Sequence, residues 1–369
     1  MQDLHGILFA YTSGEQLREL TEHRTESSVP FGGRYRVVDF MLSNLVNAGV
    51  RDVGVIMQEN YQSLLDHLGS GKDWDLSRKR GGLRLLPPFG YAGSNRGLYR
   101  GNLDALAAAA DYISYIRQKY VVLADANVIA NLPLEEIFRR HVDAKAAVTC
   151  VCAPCHEGRE ERAYFRLGEK DTVTETLAGN PEPDTYADMG VYILSKSFLE
   201  DLLRHCGTQG GHDFAFDILQ QKQAGLHIMG YLHSGYRACL RTVSDYYRES
   251  MQLLCPEIRG DLFSRARPVK TKVRDEASSY YGANSHVRNC VVADGCFLEG
   301  DIENSIIFRG VRVEPGAVIR DSILMQGTQV LRNAKVSCVI TDKNVVINPD
   351  RTLTGHPSCP AAVSKGKAV

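Results

Sequence analysis

Residues 10–21, AYTSGEQLRELT, follow an apolar run and have the spacing of a loop that could hold nucleotide phosphates. Such a loop needs glycines, because backbone N–H groups must turn towards the anion with no Cβ in the way. Only Gly14 is present, and Tyr11 stands where a glycine would help. Glu15 and Gln16 supply no positive charge for a phosphate. The residues therefore predict either a phosphate loop without its ligand chemistry or an ordinary polar loop between a strand and a helix.

A second group of chemically competent residues is Cys150, Cys152 and Cys155, followed by His156. Thiolate and imidazole ligands can bind zinc, but structural zinc sites take four ligands at characteristic spacings. The sequence offers no second cluster to complete such a set, and AAVTCVCAP is apolar enough for a buried strand. We therefore predict that these cysteines are structural rather than metal ligands.

Composition limits the class of protein. The chain has 369 residues, of which 44% are hydrophobic and 24% charged, with a formal net charge of −1. This length predicts two domains, and the near neutrality gives no electrostatic reason to expect nucleic acid or an anionic membrane. No apolar run reaches the roughly 18 residues of a transmembrane helix, and no charged region precedes the short N-terminal apolar stretch. We expect a cytoplasmic protein with reduced cysteines.

The elements that would position these residues alternate along the first two thirds of the chain. Predicted strands cover residues 4–10, 53–58, 120–125, 146–153, 189–194 and 227–232, and predicted helices cover residues 40–48, 61–68, 102–117 and 134–145. Such alternation is typical of a largely parallel sheet covered on both faces. Ligands of these sheets bind at the carboxyl ends of the strands. The pattern predicts an α/β, Rossmann-like domain over residues 1–255.

After residue 268 the pattern becomes periodic. Small residues recur every six positions, and for most of the run an apolar residue follows three positions later. The small residues are Gly310, Gly316, Ser322, Thr328 and Ala334, and the apolar residues are Ile307, Val313, Ile319, Met325 and Leu331. This period is the signature of a parallel β-helix with small corners and inward apolar residues, although an antiparallel β domain with accidental spacing is the alternative.

The domain boundaries follow from this change of pattern. We predict a linker over residues 256–275 and a left-handed hexapeptide-repeat β-helix over residues 276–369, ending in a flexible C-terminal tail. Because solenoids have open ends and flat sides that neighbours cover, we also expect an oligomer.

Several strings point to one family. They occupy residues 28–44, 47–58, 74–89, 98–106, 188–194 and 241–254. These strings, and the order of an α/β domain before a hexapeptide β-helix, closely resemble bacterial glucose-1-phosphate adenylyltransferase over nearly the whole chain. The PFGGRYRVVDF string is especially typical of that branch. The family joins ATP and glucose 1-phosphate to give ADP-glucose and pyrophosphate, with magnesium held by two aspartates.

The departures from the family pattern fall on its catalytic positions. The resemblance places the two metal aspartates at Asn127 and Cys239, the lysine before the PFGG string at Glu26, and the end of the glycine-rich loop at Gln16. Phosphoryl chemistry depends on carboxylates at the metal and cations at the phosphates. Asp125 is the carboxylate that an alignment slip would restore as a ligand. We therefore predict no catalytic residue and no metal site in this chain.

The positions that contact substrate in the family are altered as well. Gly14 is what remains of the glycine-rich loop, and Ala108 stands where an adenine-contacting glutamine is found. Ala178 lies in ETLAGNPEP, which has no counterpart of the sugar-phosphate lysine, and Asp188 replaces a serine. Because the scaffold strings survive while these residues change, the chain resembles the regulatory GlgD-type subunit that some bacteria have beside a catalytic one.

The resemblance implies a non-catalytic or weakly active regulatory subunit of glucose-1-phosphate adenylyltransferase in glycogen biosynthesis. The expected partner is the catalytic subunit, in a hetero-oligomer predicted to be a tetramer. Magnesium is expected only in that partner, so we expect no cofactor in this chain. Two alternatives stay open, namely an active sugar-phosphate nucleotidyltransferase with altered metal ligation and a stand-alone sugar-phosphate sensor. Enzyme activity of the chain itself is left undecided by the sequence.

A phosphorylated effector is expected near the PFGG string. Family members bind such metabolites near the domain junction with basic residues, and the matching segment here carries His23, Arg24, Arg34 and Arg36. His23 departs from the lysine that is common at its position. The alternative is that these arginines pair with neighbouring carboxylates on the protein surface.

Overall fold

A computed structural model describes residues 3–11, 15–88, 99–155, 163–209, 212–220 and 225–369. The chain forms two compact units. Unit 1 comprises Met1–Tyr11, Met41–Glu59 and Gly69–Gly235, and unit 2 comprises Thr12–Phe40, Asn60–Leu68 and Tyr236–Val369. Two early segments of the chain thus belong to the same unit as its C-terminal third. The predicted boundary at residue 255 is a single cut between an N-terminal and a C-terminal part, whereas the two units alternate along the chain. That boundary stays a prediction.

The elements up to the end of the α/β part are as follows. The strands are β1 (Leu4–Phe9), β2 (Pro30–Phe31), β3 (Tyr35–Arg36), β4 (Asp52–Ile56), β5 (Gly82–Leu86), β6 (Tyr120–Asp125), β7 (Ile129–Ala130), β8 (Val148–Pro154), β9 (Tyr164–Leu167), β10 (Val173–Leu177), β11 (Thr185–Ser195), β12 (Ile228–Leu232) and β13 (Arg237–Ala238). The helices are α1 (Val37–Asn47), α2 (Gln62–Leu68), α3 (Asn102–Ala108), α4 (Ala110–Ser114), α5 (Leu134–Asp143), α6 (Lys196–Gln209), α7 (Val243–Gln252) and α8 (Pro256–Leu262).

The C-terminal part consists of short strands. They are β14 (Tyr280–Tyr281), β15 (His286–Arg288), β16 (Val291–Val292), β17 (Phe297–Leu298), β18 (Asp301–Glu303), β19 (Ile306–Ile307), β20 (Arg312–Val313), β21 (Val318–Arg320), β22 (Ile323–Leu324), β23 (Gln329–Val330), β24 (Lys335–Ser337), β25 (Val339–Thr341), β26 (Val346–Ile347), β27 (Thr352–Thr354) and β28 (Ala361–Val363). None of the helices among the described residues has the length and apolar character needed to span a bilayer.

Unit 1 is built on one mixed sheet. Strand β1 lies parallel between β4 and β6, with Gly6 opposite Val53 and Val122, and β5 lies parallel beside β4. Strand β11 pairs antiparallel with β6, β8 and β9, and β12 returns parallel beside β8. The predicted alternation of strands and helices is thus confirmed, and β11 adds an antiparallel part that the pattern did not indicate.

The core of unit 1 follows from the apolar character of its strands. Every residue of β1 is buried, as expected for a central strand of a parallel sheet. Ile7 of β1, Leu123 of β6 and Leu106 of α3 are buried in one cluster. Helix α1 packs closely on β1, because a Cβ at Gly6 would lie 2.8 Å from Cδ1 of Leu45. These contacts hold the carboxyl ends of β1 and β6 in place beside each other.

The cysteine group lies mostly inside this core. Cys150 and Cys152 are buried in β8, and burial raises the pKa of the Cys150 thiol. Cys155 follows β8, and its thiol donates to the Thr185 carbonyl oxygen at 3.2 Å. His156 lies outside the described residues. The two buried thiols therefore pack as small apolar groups.

The helix predicted over residues 102–117 is divided in the structure. Helix α3 ends at Ala108, Ala109 has φ −96° and ψ 14°, and α4 then runs to Ser114. No glycine or proline in this stretch marks the break. The single predicted helix was therefore wrong at a position where the sequence carries no local signal.

Unit 2 contains the predicted β-helix. Its short strands form three parallel ladders of five strands each, which begin with β14, β15 and β16. Partners in the central coils are 17 residues apart, as Ser305 and Ser322 are, whereas Phe297 and Arg312 are 15 apart and Val339 and Ala361 are 22 apart. Val313 accordingly lies opposite Val330, and Ile319 lies opposite Val336. Stacked parallel ladders of this kind are those of a left-handed β-helix, which confirms the predicted fold class.

The six-residue frame predicted from the sequence is correct for only part of the run. The inward row comprises Ile307, Val313, Ile319, Leu324 and Val330. The row shifts by one residue after Ile319, because a coil of 17 residues cannot place six residues on each of three faces. Met325, which was predicted in this row, is buried but outside this core cluster, and Leu331 is only half-buried.

The corners of the coils show the same shift. Gly310 and Gly316 have φ of 65° and 79°, as expected for corner residues in the left-handed region. The next corners with positive φ are Asp321, Gly327 and Asn333. Each lies one residue before a predicted corner, and the predicted residues Ser322, Thr328 and Ala334 are buried instead. A strict period of six therefore predicted the β-helix fold correctly. It placed the corners correctly at Gly310 and Gly316 and one residue too late after them.

This register predicts unequal effects for two chemically identical substitutions. Leu324→Ala removes a fully buried side chain from the β-helix core and should lower the free energy of unfolding by about 2–5 kcal/mol. Leu331→Ala removes a half-buried side chain and should cost clearly less. Chemical unfolding of both variants checks the difference, and a larger loss for Leu331→Ala would contradict the shifted register.

The predicted linker and tail both contain regular structure. Residues 256–275 include helix α8, whose Leu262 is buried. At the chain end, the Val369 amide donates to the Val346 carbonyl oxygen at 3.0 Å, and the Asn348 amide donates to the Val369 carbonyl oxygen at 2.8 Å. In place of the predicted flexible tail, the last residues are hydrogen-bonded to the neighbouring coil.

Candidate functional site

The predicted phosphate loop lies partly outside the described residues, which leave out 12–14 and with them Gly14. Tyr11 follows β1, and its ring packs edge-on against Phe9 and Tyr99, with centroids 6.0 and 5.7 Å away. Gln16 is exposed in a 3₁₀ turn at the far side of the loop. A packed aromatic ring thus occupies the first position of the loop, where a glycine would expose backbone N–H groups.

The carboxyl end of β6 holds the residues nearest to the family's metal position. Asp125 ends β6, and its carboxylate lies against Gly190, where an added Cβ would be 2.3 Å from Oδ2. Asn127 is half-buried in the turn that follows. Asp188, buried in β11, accepts hydrogen bonds from the Gly190 amide at 2.8 Å and from the Tyr192 hydroxyl. Two carboxylates therefore contact Gly190 from different strands.

The residues that the family resemblance places at the metal positions do not fit magnesium. Mg²⁺ selects oxygen ligands, especially carboxylates, in octahedral geometry. Here the two positions hold the neutral amide of Asn127 and the thiol of Cys239, which suits softer metals. The carboxylate of Asp188 is already used by Gly190 and Tyr192. We therefore assign no catalytic step to a metal bound by this chain.

The remaining predicted positions are spread over both units. In unit 1, Ala108 is half-buried at the end of α3, and Ala178 is exposed after β10. In unit 2, Glu26 is buried in a 3₁₀ turn, and Cys239 is half-buried shortly before the capping box that starts α7 at Thr242. Their roles as vestigial substrate or catalytic positions stay predictions.

Unit 2 contains a small cavity with a strongly basic lining, which we call the basic pocket. Its volume is about 230 Å³. The cations that line it are Arg34, Arg36, Lys272, Arg274, Arg309 and Lys343. Asp66 is the only carboxylate among its described lining residues. A cavity with this balance of charge attracts anions and repels cations.

The first two cations are placed by a tight hairpin. Gly32 and Gly33, with φ of 62° and 85°, form the turn between β2 and β3. The Arg36 amide donates to Asp39 at 2.9 Å, and its Nη1 donates to the carbonyl and hydroxyl oxygens of Ser63 at 2.5 and 3.0 Å. Burial lowers the pKa of Arg36 to about 10, so the guanidinium still carries its charge at neutral pH. The hairpin thus presents a fixed cation to the pocket.

The β-helix supplies two further cations through its coil period. Arg309, Gln326 and Lys343 follow one another at intervals of 17 residues and line the pocket from successive coils. Arg309 pairs with Asp294 at 3.2 Å, and its Nη2 is buried without a hydrogen-bond partner among the described residues. A buried, unpartnered guanidinium nitrogen is costly.

The chain matches two protein-family models, one over its α/β part and one over its β-helix part. Residues 5–253 match the family model described as nucleotidyl transferase, and residues 271–358 match the model described as GlmU-like, C-terminal hexapeptide. The chain belongs to the nucleotidyl transferase family.

Its relatives within the family fall into two kinds. The chain is 33% identical to the glycogen biosynthesis protein GlgD of Bacillus subtilis (strain 168), over 98% of this chain and 95% of the relative. It is 34% identical to GlgD of Geobacillus stearothermophilus, over 85% and 82% of the two chains. It is 28% identical to glucose-1-phosphate adenylyltransferase of Bacillus mycoides (strain KBAB4), over 92% of each. The predicted family resemblance is thereby confirmed.

The predicted effector residues of this nucleotidyl transferase chain divide into two groups. Arg34 and Arg36 line the basic pocket. Arg24 does not line it and instead forms an ion pair with Asp342 at 2.6 Å; this pair is buried, unlike the surface pairs of the alternative. His23 is exposed beside a glutamate and does not line the pocket. The sequence thus indicated two of the six cations of the basic pocket.

Four cations of the basic pocket were missed. They are Lys272, Arg274, Arg309 and Lys343. The first two lie in the segment that was predicted as a linker, and the last two lie in the β-helix. A search of the β-helix at an interval of 17 residues would have aligned Arg309 with Lys343, whereas the six-residue frame hides this relation.

The buried pair beside the pocket should be essential for stability. Asp342→Asn leaves the Arg24 guanidinium, which is 3% exposed, without its counter-charge. Breaking a buried pair in this way should cost about 3–5 kcal/mol of unfolding free energy. The thermal unfolding midpoint measures the loss. Glu136→Gln, which breaks a surface pair with Arg140, is the control and should change stability by less than about 1 kcal/mol.

Proposed function

We propose that this chain is a non-catalytic or weakly active regulatory subunit of glucose-1-phosphate adenylyltransferase in glycogen biosynthesis. It would act by assembly with the catalytic subunit. Its GlgD relatives are named as glycogen biosynthesis proteins, and other relatives are named as the adenylyltransferase. The observation that carries the proposal is the contrast between a complete basic pocket and metal positions that hold Asn127 and Cys239.

Loss of the carboxylates argues against efficient catalysis. The reaction joins two negatively charged phosphate groups, so its transition state needs charge neutralisation by metal and cations. An amide and a thiol bring no negative charge to hold that metal. Glu26 adds a carboxylate where the family has a lysine. The chain therefore keeps the scaffold while lacking the charges that the chemistry requires.

The basic pocket supports the regulatory part of the proposal. Its volume of about 230 Å³ suits a small phosphorylated metabolite. Phosphate oxygens would meet cations from the β2–β3 hairpin, the segment around Lys272 and the β-helix. Lys272 also donates to the carbonyl oxygen of Asp66 in α2 at 2.6 Å. An anion would therefore hold several elements of unit 2 in one arrangement, and differential binding to that arrangement is what an effector requires.

Co-expression with a catalytic glucose-1-phosphate adenylyltransferase subunit tests the proposal. Native mass measurement should show a mixed assembly of defined stoichiometry, and we predict a tetramer. The kinetics of the purified mixture, with and without inorganic phosphate, should differ from those of the catalytic subunit by itself. Two separate chains with unchanged kinetics would overturn the proposal. Phosphate binding without association would favour a stand-alone sugar-phosphate sensor.

A second candidate is an active sugar-phosphate nucleotidyltransferase with altered metal ligation. The observation that favours it is the position of Asp125 and Asp188, whose carboxylates both contact Gly190. Thermal unfolding with ATP and magnesium separates the two candidates. A metal-binding site would raise the unfolding midpoint only when both are present. The regulatory proposal expects no such joint effect.

A further inference from the structure

Lys343 has an unusual place among the cations of the basic pocket. Its ammonium group forms no ion pair or hydrogen bond within the part of the chain that the structure describes, and burial, the largest effect, lowers its pKa to about 7. The neighbouring charges of Arg36, Arg24 and Arg274 lower it further. The lysine therefore stands beside an anion site in a partly neutral state at pH 7.

The carboxylate of Asp342 is shared between Arg24 and the backbone of Lys343. Asp342, the preceding residue, forms the buried pair with Arg24 at 2.6 Å, and its Oδ1 accepts the backbone amide of Lys343 at 2.7 Å. Asp66 in α2 also lines the pocket, where its Oδ1 accepts from Gln62 at 3.0 Å. Asp342 therefore raises the pKa of Lys343 only in part, because burial and the charges of Arg36 and Arg24 outweigh it.

The other charged groups that face the pocket are cations or a paired histidine. The cations are Arg34 and Arg36 on the hairpin, Lys272 and Arg274 on the segment before the β-helix, and Arg309 on the preceding coils. His67 of α2 is paired with Asp39 at 2.6 Å, and burial lowers its pKa. Tyr35 of the hairpin stays neutral, because burial raises the pKa of its hydroxyl. The arginines do not titrate near neutral pH. Among these groups Lys343 is the one placed to change its charge when an anion enters.

We propose that Lys343 couples anion binding in the basic pocket to the uptake of one proton and thereby selects dianions over monoanions. The physiological meaning of this coupling rests on the proposed regulatory function. A bound dianion adds negative charge beside Lys343 and stabilises its ammonium form. A monoanion supplies half of that charge. The lysine therefore acts as a specificity-determining residue whose own charge is set by the ligand.

The direction of the pH dependence follows from this linkage. In the free chain Lys343 loses its proton as the pH rises through about 7. In the complex its pKa lies higher, so binding takes up protons between the two values, and affinity falls as pH rises through that window. Below about pH 6 both states are protonated and the affinity should become constant.

Sulfate is the suitable probe, because it stays a dianion over this whole range, whereas phosphate itself titrates. Isothermal titration of the full chain with sulfate, in two buffers of different ionisation enthalpy, counts the protons taken up. We expect the uptake of about 0.3–1 proton, and an affinity that falls about tenfold between pH 7 and 8.5. Methyl sulfate, a monoanion, should bind more weakly and take up fewer protons.

Two variants test whether Lys343 is the group that takes up the proton. Lys343→Arg keeps a permanent charge, so sulfate binding should persist while its pH dependence falls below about threefold. Lys343→Met removes the charge, so sulfate should bind weakly at every pH and lose most of its advantage over methyl sulfate. Unchanged proton uptake in Lys343→Arg would overturn the proposal and point to His67. Pocket binding of sulfate without any proton uptake in the wild-type chain would overturn it as well.

These measurements use the chain without a catalytic subunit, so they fail or succeed independently of the regulatory role. Proton-linked sulfate binding combined with unaltered kinetics of the mixed assembly would leave the Lys343 proposal standing and reject the proposed function. An effect of phosphate on the mixed assembly without proton-linked sulfate binding would do the reverse.

Discussion

The purified chain by itself is expected to form ADP-glucose from ATP, glucose 1-phosphate and magnesium about a thousandfold more slowly than a catalytic subunit, or not at all. A catalytic metal stabilises the transition state strongly, and a loss of about 1.4 kcal/mol of that stabilisation slows a reaction tenfold. The family resemblance places the positions of its ligands at Asn127 and Cys239. Chromatographic detection of ADP-glucose, with pyrophosphate release as a second readout, measures the rate.

The design of this experiment must separate missing chemistry from a misfolded preparation. The same sample should bind sulfate in the basic pocket, which shows that unit 2 is folded. Asn127→Asp and Cys239→Asp, singly and together, restore the carboxylates. The double variant should gain stabilisation by ATP with magnesium, while Glu26 and Gln16 keep its turnover low. Robust turnover of the wild-type chain would reject the non-catalytic proposal directly.

Arg36→Ala in the basic pocket should strongly weaken the response of the mixed assembly to inorganic phosphate. Its guanidinium is fixed by Ser63 and its backbone by Asp39, so it presents a positioned charge rather than a mobile one. Charge-assisted hydrogen bonds to phosphate are among the stronger polar contacts, and loss of one should raise the required phosphate concentration at least about tenfold. Titration of the activity of the assembly with phosphate gives this concentration.

Three further variants make this second prediction specific. Arg34→Ala removes a cation that is exposed on the same hairpin and should weaken the response less. Arg36→Lys keeps the positive charge but lacks the planar guanidinium, which can donate two hydrogen bonds to one phosphate. It should give an intermediate response. Arg332→Ala removes an arginine of the β-helix that does not line the pocket and should leave the phosphate response unchanged. An unaltered response in Arg36→Ala would show that the pocket is not the effector site.

Elements with strong local patterns could be predicted from sequence. The predicted strand over residues 120–125 coincides with β6, and the predicted helix over residues 61–68 differs from α2 by one residue at its start. Both have apolar spacing that specifies one face or a fully buried core. The break at Ala109 and the antiparallel direction of β11 have no such local signal, since they depend on packing against other elements.

The β-helix shows the limit of a periodic pattern. A period of six residues specifies stacked short faces because small corners and inward apolar residues alternate with it. The coil length of 17 residues is decided by stacking of the whole turn on its neighbour. The predicted six-residue frame is therefore one residue out of register after Ile319. Leu324 rather than Met325 lies in the inward core.

The sequence by itself determined the family and the two kinds of domain, because these depend on identities at fixed places in strings that the family shares. Only the tertiary structure decided that cations from residue 34 to residue 343 share one cavity. Positive side chains at distant positions carry no common sequence pattern, and they are brought together by the hairpin and by the stacking of coils. The same assembly places the half-buried Lys343 among arginines that are distant in sequence and that lower its pKa, which no inspection of its neighbours in sequence would reveal.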